Sequence, residues 1–457
     1  MKRLILAAAV AVFAAGCSKH ETPAGSTNAI WISAQSSSNL FASRVVLGAG
    51  TAMNPYFGDV DAIFQTRITT HQVIYAYPGI YYTHGNLGGV NAGVCLQSGD
   101  RLVGSGIDIT TFRRYANAPG YQTGAGNIEG MISASGVSNV TVENLTVDCQ
   151  GQVYRTNKIN GIEIQGDFDT VKFCKVINWC GHTFNGNQGD EAWAVFLVNQ
   201  RPEIIPEADR GNKILYCIAA SPQGNYDDAF TADGQYLIEG CEAYYPILTN
   251  NSTSTFAYPG APGPGMFLGA GLPIAGGKNA IVKDNYVEGG LCGIYGDTFG
   301  ETNCIIENNI LNNCMTGILL NGSMSTNQWV ACDNLKIINN LIEALTNYFS
   351  SERMMIGLIN YSTSYAPWRR IIISGNTLRF ADGVKPTRID GNQAAFWLGV
   401  ATNAAASSNL EGVLISGNIV DNELTNILQG LNYHIANNVD QNGKLSRVQG
   451  ADEQYRN

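Results

Sequence analysis

The chain has 457 residues, 52 of them Gly, and only 14% are charged, against the ~25% usual in globular domains. No stretch carries Ala, Glu, Lys and Leu at helical spacing, which excludes a coiled coil or helical bundle; a hydrophobic share of 45% excludes a mainly disordered chain. The formal charge of −10 excludes nucleic-acid binding through the overall field, and no Lys/Arg run with interleaved aromatics supplies a local one.

Lys2 and Arg3 precede the apolar run from Leu4 to Ala15, which is too short to span a bilayer and has the build of a signal peptide. It ends in Ala14-Ala15-Gly16-Cys17, which resembles the bacterial lipobox. That resemblance implies cleavage after residue 16, a lipid on Cys17 and attachment to the cell envelope, with Ser18 compatible with the outer membrane. The polar residues that follow read as a linker, so residues 17–30 are expected to be a lipidated tether.

Within residues 31–440, expected to form one β-helix, a short pattern recurs from Val142 to Asp440: apolar, any, any, Asn or Cys (Leu in the first copy), any, apolar. Its fourth position falls at Leu145, Cys174, Cys217, Cys241, Asn285, Asn309, Asn340, Asn376, Asn418 and Asn438. A second short apolar strand precedes most of these, as in Gly161-Ile162-Glu163-Ile164 and Ala229-Phe230-Thr231-Ala232. Two or three short strands per unit of 20–30 residues, the larger units carrying loop insertions, predict an all-β, single-domain right-handed parallel β-helix of ten or more coils. One coil cannot bury its inward face, whereas stacked coils share one core. The recurrent Asn is expected to form a side-chain ladder inside a turn. Cys174, Cys217 and Cys241 occupy the same slot and read as an inward, reduced continuation of it, with disulfides as the alternative in an exported chain. Asp59 to Ile68 is expected to be an amphipathic helix capping the open end of the solenoid, and 441–457 a polar tail.

His71 to Tyr81, with its Pro78-Gly79, resembles the first coil of the pectate-lyase-like superfamily. Val94 to Gly106 and Asn139 to Asp148 resemble further coils of it. The resemblance implies the β-helix fold and leaves lyase, hydrolase, epimerase and binding functions open.

Chemistry is sought where acidic residues fall in repeat register. Asp190-Glu191 precedes the strand at Ala192, and Asp227-Asp228 precedes Ala229. If these positions are equivalent, stacking brings two acidic pairs ~5 Å apart on one face. Such carboxylates suit glycoside hydrolysis or a Ca²⁺ site formed by Asp190, Asp227 and Asp228. Asn225 to Phe230 resembles the Gly-Asp-Asp-Cys-Ile-Ala element of polygalacturonases, which implies Asp227 and Asp228 as an acid–base pair. The family's other elements are incomplete: no Asp follows Asn160-Gly161, and no His stands at Gly290 to Gly293. His182, in the turn before Asp190, is a further candidate for catalysis. Tyr226, Phe230 and Tyr258 are candidates for stacking on sugars, and Arg201 for substrate binding. The Gly- and Pro-rich insertion from Pro246 to Lys278 reads as one wall of a groove. The resulting expectation is an exported, lipid-anchored, polysaccharide-cleaving protein, hydrolysis favoured over β-elimination. The alternative is a non-catalytic surface protein that binds glycan or serves as a rigid rod.

Overall fold

The computed structural model describes residues 29–444 except 35–45, 70, 87–92, 116–129, 152–157, 182–191, 200–210, 224–226, 246–269, 276, 291, 299–301, 315, 323–331, 345–352, 361–367, 384–392, 401–409 and 429–432. Among these residues the chain winds through three long parallel sheets of 11, 13 and 11 strands, and each successive coil contributes one strand to each sheet. The fold is a right-handed parallel β-helix. Within a coil the first strand (Asp227–Asp233, for example) leads to the second (Tyr236–Glu239), and the second turns into the third (Glu242–Tyr244). The first strand of the solenoid, Ala29–Ile32, pairs with Val73–Ala76.

Alternation decides what goes inside. In the second strands Leu102, Val142, Val171, Ile214 and Ile238 stand in register, and each is 0% exposed. Their neighbours along the strand face out. The inward columns form one continuous core along the coil axis. Among the described residues one helix, α1 (Val60–Thr66), lies at the N-terminal end, and the side chain of Asp59 caps it by accepting from the Ala62 N–H. Val60, Ile63 and Phe64 add to the end of the core, as the sequence led us to expect of a cap.

The turn between second and third strands repeats with little change. The residue before each of the ten ladder positions has positive φ: Asn144, Phe173, Tyr216, Gly240, Asp284, Asn308, Asn339, Gly375, Gly417 and Asn437. Gly and Asn tolerate that conformation, whereas Phe173 and Tyr216 are held there against their preference. Their rings stack on each other with centroids 5.5 Å apart. A Cβ at Gly240 would meet the Tyr216 ring at 2.4 Å, so the next coil needs glycine there.

The next position points inward and forms the ladder. Asn340 Nδ2 donates to Asn376 Oδ1 at 3.0 Å and to the Ile306 carbonyl at 3.1 Å. Its Oδ1 accepts from Asn309 Nδ2 at 2.9 Å and from the Asn309 N–H at 3.0 Å. The same bonds run from Asn285 to Asn438. The cysteines keep part of the pattern. The thiols of Cys174, Cys217 and Cys241 donate to the carbonyls of Val142, Val171 and Ile214, three residues before the ladder slot of the preceding coil. Asn285 Nδ2 donates to Ile238 in the same way. No disulfide joins any of the ten cysteines beyond Cys17, and Cys17 lies outside the described residues. Burial pushes the Cys174 and Cys241 thiols up, so they stay protonated.

A second buried polar column sits at the turn between first and second strands. Asp169 is 0% exposed and accepts from the Val140 N–H through Oδ1 at 2.8 Å. Its Oδ2 is buried without a hydrogen bond among the described residues. Burial pushes its carboxyl up to about 7.

Two predictions follow from these columns. Replacing Asn340 with Leu orphans up to four backbone and amide groups and should lower unfolding stability by roughly 3–5 kcal/mol. Asn340→Cys should cost clearly less, because a thiol already fills the slot in three coils; urea unfolding of both variants measures the difference. For Asp169 the folded carboxyl binds its proton more tightly than the unfolded one. Its contribution to stability is therefore fully present below the unfolded value of 3.8 and lost as pH rises through about 7. Asp169→Asn should remove a loss on the order of 4 kcal/mol between those limits. Melting curves of wild type and variant from pH 4 to 8 should diverge over that interval.

Candidate functional site

The first-strand sheet decides the fate of the acidic pairs. Asp227 and Asp228 stand level with Ala192 and Trp193, and Phe230 stands level with Val195. The sequence matched Ala229 with Ala192, whereas the fold slides the strand by two residues. Two acidic pairs level on neighbouring coils are therefore not what the register produces. Asp190 and Glu191 themselves lie outside the described residues, as do His182, Arg201, Tyr226 and Tyr258. A two-residue slip leaves every side chain on the same face, so strand alternation could not detect it.

Asp227 and Asp228 do not line an open groove, contrary to expectation: they are 2% and 4% exposed. Asp227 Oδ1 accepts a short hydrogen bond from the Gly181 N–H of the preceding coil. Its carbonyl accepts from Tyr245 Oη at 2.7 Å. Burial, with Asp228 and Asp227 close by, pushes the Tyr245 phenol far up. Asp227 is thus a tie between coils, the role an Asp before a strand fills by bonding turn backbone. Phe230 is also corrected: it is 0% exposed and stacks inward in the column of Ile162 and Val195, so it is core and offers no surface to a sugar. Tyr244 is exposed but on the third sheet, where its Oη donates to Glu242 Oε2 at 2.6 Å. Among the described residues no group of three or more His, Cys, Asp or Glu could hold a metal ion. With the Asp227 carboxylate committed to Gly181, the described residues do not fit the expected Ca²⁺ site.

Other side chains occupy the outward face of the same sheet. In Ile162–Asp167 the inward Ile162 and Ile164 alternate with outward Glu163 and Gln165. Ser133, Glu163, Phe196 and Thr231 form one outward column across four strands. Gln165, Val198 and Asp233 form the next. Glu163 is held on both oxygens: Asn160 Nδ2 donates to Oε2 at 2.6 Å and Gln165 Nε2 to Oε1 at 3.0 Å. Asn160 is fixed in turn by the Trp193 N–H, which donates to its Oδ1 at 3.0 Å. Burial pushes the Asp233 carboxyl up, opposed by the Gly234 N–H. Glu163 and Asp233 are two strands apart and two positions along, which puts their Cα atoms roughly 12 Å from each other.

On the strand between them is an aromatic pair: Phe196 stands level with Glu163, and Trp193 is three residues before it, on the side away from Asp233. Trp193 and Phe196 stack with centroids 4.3 Å apart and planes 13° from parallel. Lys158 Nζ sits 3.9 Å from the Trp193 ring centroid. Two such close neighbours cannot share one ring face, so Trp193 is sandwiched between Phe196 and the ammonium. The face therefore offers a fixed carboxylate, a second carboxyl biased towards its acid form, and partly buried aromatic surface.

Glu163, Trp193, Thr231 and Asp233 were not singled out from the sequence. The signal was present in the alternation of Ile162-Glu163-Ile164-Gln165 and Ala232-Asp233. Asn160-Gly161 had drawn attention for lacking an Asp, and the carboxylate of this coil stands three positions beyond Asn160.

No protein-family model and no curated protein matches the sequence. Among solved structures the chain is similar to an exopolygalacturonase from Thermotoga maritima, with 12% identity and a TM-score of 0.50 over 81% of this chain and 84% of that one. It is also similar to the N-terminal fragment of gene product 12 of bacteriophage Phi29, with 13% identity and a TM-score of 0.51 over 88% of this chain and 66% of that one. At these identities the likeness is one of fold.

Proposed function

We propose that the protein is an exported, lipid-anchored carbohydrate-active protein that cleaves polysaccharide on the outward face of its first-strand sheet. The observation that carries this reading is the pairing of a doubly bonded Glu163 with the burial-shifted Asp233 on one outward face, beside the Trp193–Phe196 pair. The exopolygalacturonase of the same fold lends support to a polysaccharide partner.

The chemistry follows from the two environments. Donors on both oxygens fix the Glu163 carboxyl in place, and it would be the group that activates a water. Burial favours the acid form of Asp233 and suits it to protonate the leaving glycosidic oxygen. Carboxyls whose Cα atoms are roughly 12 Å apart lie nearer to the ~6.5–9.5 Å separation of inverting hydrolysis than to the ~5 Å of retaining hydrolysis. Phe196, which stacks on Trp193 by one face only, would offer its other face to the C–H face of a sugar. The lipobox at Ala14 to Cys17 supports anchoring at the bacterial cell envelope.

Glu163→Gln and Asp233→Asn should each lower the rate of polysaccharide cleavage by at least ~10²-fold while leaving glycan binding within threefold. Reducing-end release and affinity electrophoresis measure the two quantities. Full cleavage by both variants removes the hydrolase assignment; binding without cleavage by the wild type leaves a glycan-binding protein. Separately, Cys17→Ser should shift the protein from the membrane fraction to the soluble one or block its processing, and unchanged fractionation counts against the anchor.

A further inference from the structure

The outward face carries two buried polar atoms that have no hydrogen bond. Thr231 is 5% exposed, and its Oγ1 is unpartnered among the described residues; Trp397 is 8% exposed, and its Nε1 is likewise unpartnered. Such groups cost roughly 1–3 kcal/mol each when left unsatisfied. Both stand in the same outward column, which passes from Phe196 to Thr231, through the level of Pro273, and on to Tyr295, Leu319, Gly357 and Trp397. Five strand steps separate Thr231 from Trp397, or ~24 Å along the coil axis. The column is apolar for most of its length, and Trp397 packs there with Met354 and Leu319.

Charge on this face points one way. Glu163 and Asp233 are outward carboxylates at the Thr231 end, Asp228 stands level with Trp193, and the Lys158 ammonium lies over the Trp193 ring. The whole chain has a formal charge of −10. A polymer with one carboxylate per sugar would meet like charge without a matching described cation. A neutral sugar chain would lay its C–H faces on the apolar column. Its hydroxyls could donate to Thr231 Oγ1 and accept from Trp397 Nε1, satisfying both orphaned atoms.

We infer that the ligand is an extended neutral glycan lying along the coil axis and bonded by Thr231 at one station and Trp397 at another. The inference rests on the polysaccharide reading above and narrows it to a charge class. It is tested with the full-length protein in detergent against galactomannan, xyloglucan, mixed-linkage β-glucan and dextran as neutral polymers, and polygalacturonate and alginate as polyuronates. Titration calorimetry should show at least one neutral polymer binding tenfold or more tightly than either polyuronate. Thr231→Val is near-isosteric and removes only the hydroxyl, whereas Trp397→Phe removes the indole N–H together with one ring. Each should weaken that binding about tenfold, with the melting temperature equal or higher in Thr231→Val and lowered in Trp397→Phe by the void the lost ring leaves. A polyuronate bound as tightly as the best neutral polymer overturns the neutral-glycan inference and leaves the polysaccharide reading standing. Wild-type affinity in both variants overturns the roles of Thr231 and Trp397. Failure to bind or cleave any of the six overturns the proposed function and this inference with it.

Discussion

The structure depends on one turn. A residue in the left-handed region, followed by a side chain that bonds up and down the stack, closes every coil between its second and third strands. The two requirements reinforce each other. The positive φ at Asn308 or Asn339 swings the chain so that Asn309 or Asn340 points inward. There the amide satisfies the backbone of the coil on one side and the amide of the coil on the other. A buried amide with all its bonds made stabilises the stack, while one with missing partners destabilises it, so the ladder works only as a whole. Because this corner is constant, the strands on either side keep their register over ten coils while the other turns accept insertions of very different length.

That constancy also explains the thiols. Cys174, Cys217 and Cys241 preserve the bond to the carbonyl of the preceding coil and give up the amide-to-amide bond. They follow the apolar Leu145 and precede Asn285, where the amide ladder begins. The slot therefore changes from apolar, to weakly polar, to fully hydrogen-bonded along the axis.

In the first-strand sheet the same register separates a carboxylate bonded by main chain from one bonded by side chains. Asp227 enters its strand at the corner and is consumed by the backbone of the neighbouring coil. Asp233, six residues on, lies on the outward face of the same strand. Glu163, two coils away, is oriented by the side chains of Asn160 and Gln165. A carboxylate held by side chains on an outward face is positioned for an external partner; one held by main chain inside a corner is part of the scaffold.

The repeat, the fold class, the helix at Asp59 to Ile68 and the inward Asn/Cys column were all legible in the sequence. Each is written in local chemistry that recurs at the same place in every unit: an apolar alternation, a left-handed Asn or Gly, then an amide or thiol. The acidic residues were legible as residues but not as a site. Whether Asp227 stands beside Ala192 or beside Asp190 depends on a two-residue offset that alternation does not distinguish. Whether a side chain ends in a corner or on a face depends on where the chain bends, and this is why Phe230, which reads as a binding aromatic, is core while Trp193 is not. Local sequence sets the period of a solenoid, because each coil repeats the same turn; only stacking sets the phase between coils, because that phase is a property of two strands and not of one.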